Sequence, residues 1–131
     1  MIVGGAPNKF DDESGFIFSG DDGDLLTKML NAINIKKENT YITSAINYFV
    51  EDNIKPSLSD INRYSIFLKE HISIINPKII ILMGTTAMQA ITGINSKISM
   101  ERGKWKETII KNTNYILMIT FDPSYLLRAP E

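Results

Sequence analysis

The chain has 131 residues, 44% hydrophobic and 22% charged, which fits one globular domain around a single core. It contains no cysteine, so disulfides, thiolate metal sites and iron–sulfur clusters ligated by this chain are excluded. No apolar run reaches the ~18 residues of a membrane span, and no basic-then-apolar leader is present, so a cytoplasmic protein without a membrane partner is expected. The net charge of -1 hides an asymmetry: residues 1–60 carry five Lys against ten acids, net -5, and residues 61–131 carry nine Lys or Arg against five acids, net +4. A basic second half could face an anionic partner, although the chain is no overtly basic nucleic-acid binder.

In chain order, the apolar start MIV predicts a strand running into Gly4-Gly5-Ala6-Pro7. A long irregular loop is expected through Asp11-Asp12-Glu13 and Ser19-Gly20-Asp21-Asp22-Gly23, holding Phe16, Ile17 and Phe18; loops of this length are usually functional. Leu25, Leu26, Met29, Leu30 and Ile33 recur at helical spacing from Asp24. Thr40 to Ile46 is β-branched and aromatic and predicts a strand, and Ser59-Asp60 opens a second helix that Pro77 stops. Lys78 to Gly84 is a continuous apolar run, the mark of a strand covered on both faces. A short helix over Thr85–Thr92, a polar and basic loop over 95–114, and a fourth strand over Tyr115–Phe121 complete the order.

Strands alternating with helices predict an α/β fold, a three-layer α/β/α sandwich with a four-stranded parallel sheet. Ligands of such sheets bind beyond the carboxyl ends of the strands. Those ends here are Gly4–Pro7, Thr43-Ser44, Met83-Gly84 and Asp122-Pro123-Ser124.

Taken singly, the motifs are weak. GGAPN lacks the GxGxxG spacing and GTTAMQA lacks the lysine of a phosphate-cradling loop, which argues against dinucleotide binding. His71 reads as a structural or surface residue near a helix C-terminus, where a cation is favoured. Phe18 reads equally well as a loop anchor. Arg102, Lys104, Trp105 and Lys106 form a basic cluster around one aromatic, suited either to a solvated loop with a core-seeking Trp or to phosphate contact.

Taken together, GGAP, SGFIFSGDDGDLL, YITSAI, INPKIIILMGTTAMQAITG, RGKW and PSYLLRAPE occur in one order. This resembles the uracil-DNA glycosylase superfamily, most closely its family 4, the bacterial and archaeal iron–sulfur branch, over nearly the whole chain. The resemblance implies a single domain over residues 1–131 that lacks the family's N-terminal segment and closing helix. It implies base excision repair as the role and uracil-containing DNA, single- or double-stranded, as partner; a monomer is the default expectation, and with no cysteine to hold the branch's cluster no cofactor is expected.

The resemblance also implies a site, and the departures fall on it. Gly5 stands where the family motif Gly-Glu-Ala/Gly-Pro-Gly has Glu, beside Ala6 at the base pocket. Asp11 matches an acidic residue of the following loop, a candidate to orient water or stabilise the sugar cation. Phe18 matches the Phe that stacks on the flipped uracil. Ser44 replaces the Asn that reads the uracil edge, and Asp122 replaces the His of His-Pro-Ser. Ser124, Leu126, Leu127 and Arg128, with Arg102 and Lys104, would meet the DNA, the leucines as an apolar wedge. Two cluster cysteines correspond to Tyr48 and Tyr64, which are expected to fill the vacated space.

A glycosylase extrudes the nucleotide and holds the base by stacking and edge hydrogen bonds. Asn offers uracil a donor and an acceptor where Ser44 offers one hydroxyl, so selectivity should fall. The family's His donates toward a uracil oxygen that becomes anionic. An ionised Asp122 repels that charge: a unit charge ~4 Å away costs ~4 kcal/mol at an effective dielectric near 20, roughly a thousandfold in rate. Only a protonated Asp122 could donate; as the plainer alternative it caps the turn. His to Asp and Asn to Ser are each one nucleotide change. The expected protein is a diverged glycosylase with weak or no activity. The alternatives are a non-catalytic nucleic-acid- or protein-binding module on the same fold, and an unrelated nucleotide-binding domain.

Overall fold

A computed structural model describes residues 1–46 and 56–128. The described elements are β1 (Ile2–Gly4), α1 (Lys9–Ser14), α2 (Asp21–Ala32), a 3-10 turn (Lys37–Asn39), β2 (Ile42–Ser44), α3 (Leu58–Ile75), β3 (Ile79–Met83), α4 (Thr85–Thr92), α5 (Ile98–Glu101), β4 (Trp105–Ile110), β5 (Thr113–Thr120) and α6 (Pro123–Arg128). They build an α/β fold around a five-stranded sheet of order β2-β1-β3-β5-β4.

β2, β1, β3 and β5 are parallel neighbours, as the alternation of strands and helices predicts. The apolar run of β3 divides between two cores. Ile80 and Leu82 join Val3, Leu117 and Ile119 against Ile61, Leu68 and Ile72 of α3 and Met88 and Ile91 of α4. Met83 joins Ile2 against Phe18 and against Leu26 and Leu30 of α2 on the other face. Each face of the central strands thus removes apolar area from water, at ~25 cal/mol per Å².

The expected four-stranded parallel sheet needs correction. A fifth strand, β4, pairs antiparallel with β5 in the segment expected to be a basic loop. An edge strand needs to bury little, so its charges hide it: Trp105, Glu107 and Ile109 are exposed, Lys106 and Thr108 half-buried, Ile110 buried. Trp105 therefore lies on an open sheet face, not in the core. Lys111 and Asn112 join β4 to β5 with φ of 48° and 67°, a two-residue turn with both residues left-handed. That geometry matches the strand twist and forces antiparallel pairing, but this pair has no glycine to announce it.

The expected irregular loop also proves more ordered. Asn8 caps α1 reciprocally with Asp11, and Gly15 ends it at φ 83°. α2 begins at Asp21, not Asp24, with three acids in its first turn where the helix dipole favours them. α3 opens on the Ser57 cap and closes on Asn76, whose Oδ1 accepts the Tyr115 hydroxyl at 3.0 Å. His71 meets the Tyr41 hydroxyl edge-on, in line with a structural role. No described helix is long and apolar enough to cross a membrane.

A Val at Asn112 should cost about 1–2 kcal/mol, because a β-branched residue resists the left-handed region. The same substitution at exposed Asn114, extended opposite Ile109 in β5, should be close to neutral. Urea unfolding of both variants checks the hairpin.

Candidate active site

The site forms where the glycines at the strand ends let other groups come close. A Cβ on Gly4 would lie 2.9 Å from Cζ of Phe18, so the ring rests on the bare backbone at the end of β1. A Cβ on Gly23 would lie 1.8 Å from the Phe18 carbonyl oxygen. Phe18 itself, at φ 54° and buried, is thus held between the sheet and the first turn of α2.

Asp11 holds the same loop from the other side. Its Oδ1 accepts from the Ser19 amide and hydroxyl, both at 3.0 Å, and its Oδ2 accepts from the Asn8 amide at 3.2 Å. Only 4% of Asp11 is exposed. Asp22 lies next to this network, accepting from the Asn8 side chain at 3.3 Å and from the Gly23 amide at 2.9 Å. Burial pushes its carboxyl above the ordinary range, nearby Asp11 adds to this, the Gly23 hydrogen bond opposes it, and Asp122 adds a smaller push. Asp22 escaped the sequence reading because it sits in a run of acids that looks solvated.

Asp122 follows β5 after the single residue Phe121. It packs on Gly84 at the end of β3, which has φ of 94° and whose added Cβ would meet Oδ2 at 3.4 Å. Its Oδ1 accepts from the Ser124 amide and hydroxyl, both at 2.9 Å, capping the turn into α6. A cavity of about 740 Å³ opens here, lined among others by Gly5, Gly84, Thr86, Asp122, Tyr125 and Arg128. It falls within the ~300–1,000 Å³ of small-molecule sites and lies at the carboxyl edge of a parallel sheet.

The sequence matches the description "Uracil DNA glycosylase superfamily" over residues 1–131. The chain belongs to this superfamily. It is similar to proteins named "Type-4 uracil-DNA glycosylase": 29% identical to that of Pyrobaculum aerophilum, 32% to that of Thermotoga maritima and 33% to that of Sulfurisphaera tokodaii. These matches cover 99%, 98% and 99% of this chain and 68%, 66% and 61% of the relatives, so the chain spans roughly two thirds of their length.

The residues that the superfamily resemblance singles out are brought together only in part. Gly5 and Asp122 line the main cavity with Arg128; Phe18, Ser44 and Ala6 do not line it. Ser44 pairs in register with Gly4, but its hydroxyl donates to the Ile46 carbonyl at 2.9 Å. Ser124, with Leu127 and Arg128, borders a second cavity of about 530 Å³ shared with Asn8, Ser19 and Asp22. Leu127 is exposed and Leu126 half-buried. The Arg102 guanidinium lies 4.7 Å over the Phe121 ring, whereas exposed Lys104 borders neither cavity. Lys106 is tied to Glu101 at 2.8 Å, and this partner holds the Glu101 carboxyl below its ordinary range. Tyr64 packs against the α3 core and near Phe67; Tyr48 lies outside the described residues.

Gly23→Ala should be among the most damaging small substitutions, costing about 2–3 kcal/mol or more, since its methyl meets a backbone oxygen that cannot swing away. Thermal unfolding beside Gly20→Ala, a glycine of negative φ whose added Cβ would meet the Phe10 ring at an ordinary 3.5 Å, isolates the clash from the general effect of the substitution.

A raised carboxyl in the fold means that ionising Asp22 costs stability. The benefit of the neutral form is present at low pH and is lost as pH rises above about 3.8, the ordinary value, through the folded value. Asp22→Asn removes this titration, so its melting temperature relative to the native chain should rise between pH 4 and pH 7, the offset at pH 4 reporting the hydrogen bond that the amide cannot accept.

Proposed function

We propose that this protein is a uracil-DNA glycosylase-like protein of base excision repair that engages DNA at the carboxyl edge of its sheet and excises uracil slowly. One observation carries the reading: Asp122 stands against Gly84 at the wall of a cavity that Gly5 also lines; the resemblance implies the superfamily's His at Asp122. Membership of the superfamily and similarity to proteins named type-4 uracil-DNA glycosylases support the substrate class.

Slow excision follows from charge. A departing uracil becomes anionic, and a carboxylate at the cavity wall opposes this where a neutral donor or a cation would help. Asp122 is also committed to the Ser124 amide and hydroxyl, and Ser44 to Ile46, so neither is poised toward a base. Asp11 is committed in the same way, to Asn8 and Ser19, and contributes by fixing the Phe18 loop. The cations Arg102, Lys104 and Arg128 would meet phosphates.

The same commitments favour a second reading, a non-catalytic nucleic-acid-binding module in which Asp122 is a cap alone. Uracil release from labelled single- and double-stranded DNA separates the two. Slow excision predicts measurable release by the native chain that rises at least about tenfold in the Ser44→Asn, Asp122→His double variant. DNA binding without release in either protein selects the binding module. In both cases binding should weaken steeply with salt, through released counterions, and Arg128→Ala should flatten that slope by about one.

A further inference from the structure

The cavity beside Asp122 has an aromatic wall that the glycosylase reading leaves unused. Phe121 and Tyr125 stack with ring centroids 5.0 Å apart and planes inclined by 29°. Both rings line the cavity, and Tyr125 is 44% exposed. The Arg102 guanidinium over Phe121 extends the stack by a cation. Tyr125 is held by α6 and by Phe121, so presenting its ring costs little further ordering when a flat ligand arrives.

The remaining walls fit one kind of occupant. Gln89 and Asn95, joined by a 3.0 Å hydrogen bond, supply amides that can meet the polar edge of a base. Among the described residues, Lys97 and Arg128 bring two cations to the same cavity, against one lining acid, Asp122. A flat ring, amide groups and cations suit a nucleobase with its phosphate. A base can reach Tyr125 only when it is out of a duplex stack, and base–aromatic stacking tolerates any base.

We propose that Tyr125, backed by Phe121, is a stacking subsite for an unpaired nucleobase of a DNA single strand, its backbone phosphate meeting Lys97 and Arg128. This subsite rests on the reading of the protein as a DNA binder and adds a preference for single strands to it. The stacked base is a neighbour of the uracil, not the uracil.

Fluorescence anisotropy with a labelled single strand carrying one uracil tests this. The comparison strands replace the base 5′ or 3′ of the uracil by an abasic spacer. Tyr125→Ala should weaken binding of the full strand about tenfold, and Tyr125→Phe should leave it within about twofold. On the strand whose spacer removes the stacked base, native protein and Tyr125→Ala should bind alike. Equal binding of the full strand by native protein and Tyr125→Ala would overturn the subsite while leaving the DNA-binding reading intact. A loss for Tyr125→Ala that persists undiminished on both spacer strands would also overturn it, because the ring would then act through folding alone. Failure of the native protein to bind any strand would overturn both readings. Competition by a free deoxynucleotide as effective as the strand would overturn the assignment to a strand.

Discussion

The buried Asp11 carboxylate fixes the geometry on which the α2 face of the molecule depends. It ties the start of α1 to the Phe18–Ser19 loop through the Asn8 amide and the Ser19 amide and hydroxyl. Charge-assisted hydrogen bonds to an ion are about twice as strong as neutral ones, and breaking them would strand a buried charge. With the loop held, Phe18 can sit at positive φ, cover Gly4 and place its carbonyl against Gly23. Asp11, which the superfamily resemblance makes a candidate for catalysis, is here hydrogen-bonded to Asn8 and Ser19 through both carboxyl oxygens.

The second constraint is electrostatic. Asp11, Asp22 and Asp122 come from three separate segments, yet each of the outer two raises the Asp22 carboxyl. Asp122 shares one cavity with Lys97 and Arg128, and Asp22 shares the second with Arg128, so acids and cations are interleaved at this edge of the sheet. The cations suit a phosphate backbone, and Asp122 resists negative charge building up beside it.

The superfamily resemblance implies a donor where this chain has the acceptor Asp122, and an amide where it has the Ser44 hydroxyl. Both substituted groups have found partners within the chain, Asp122 with Ser124 and Ser44 with Ile46. That satisfies Asp122 Oδ1 and the Ser44 hydroxyl locally, while the charge of Asp122 still faces the cavity. The fold accommodates both residues, and among the described residues no buried side-chain polar atom lacks a partner.

The sequence alone determined the parallel core, because continuous apolar runs and helical spacing are local signals that one strand or helix carries by itself. It determined the superfamily too, since ordered motifs survive substitution of the residues that do the chemistry. It missed β4, whose alternating charges look like a loop until β5 supplies a partner, and α1, whose Asn8–Asp11 cap is hidden in a run of acids. Tertiary structure alone decided the contacts of single side chains. That Asp11 meets Ser19, that Asp122 packs on Gly84 at a cavity wall, and that Tyr125 is open depends on neighbours distant in sequence. Hydrogen bonds and close contacts are settled within a few tenths of an ångström, a scale that no spacing along a chain encodes.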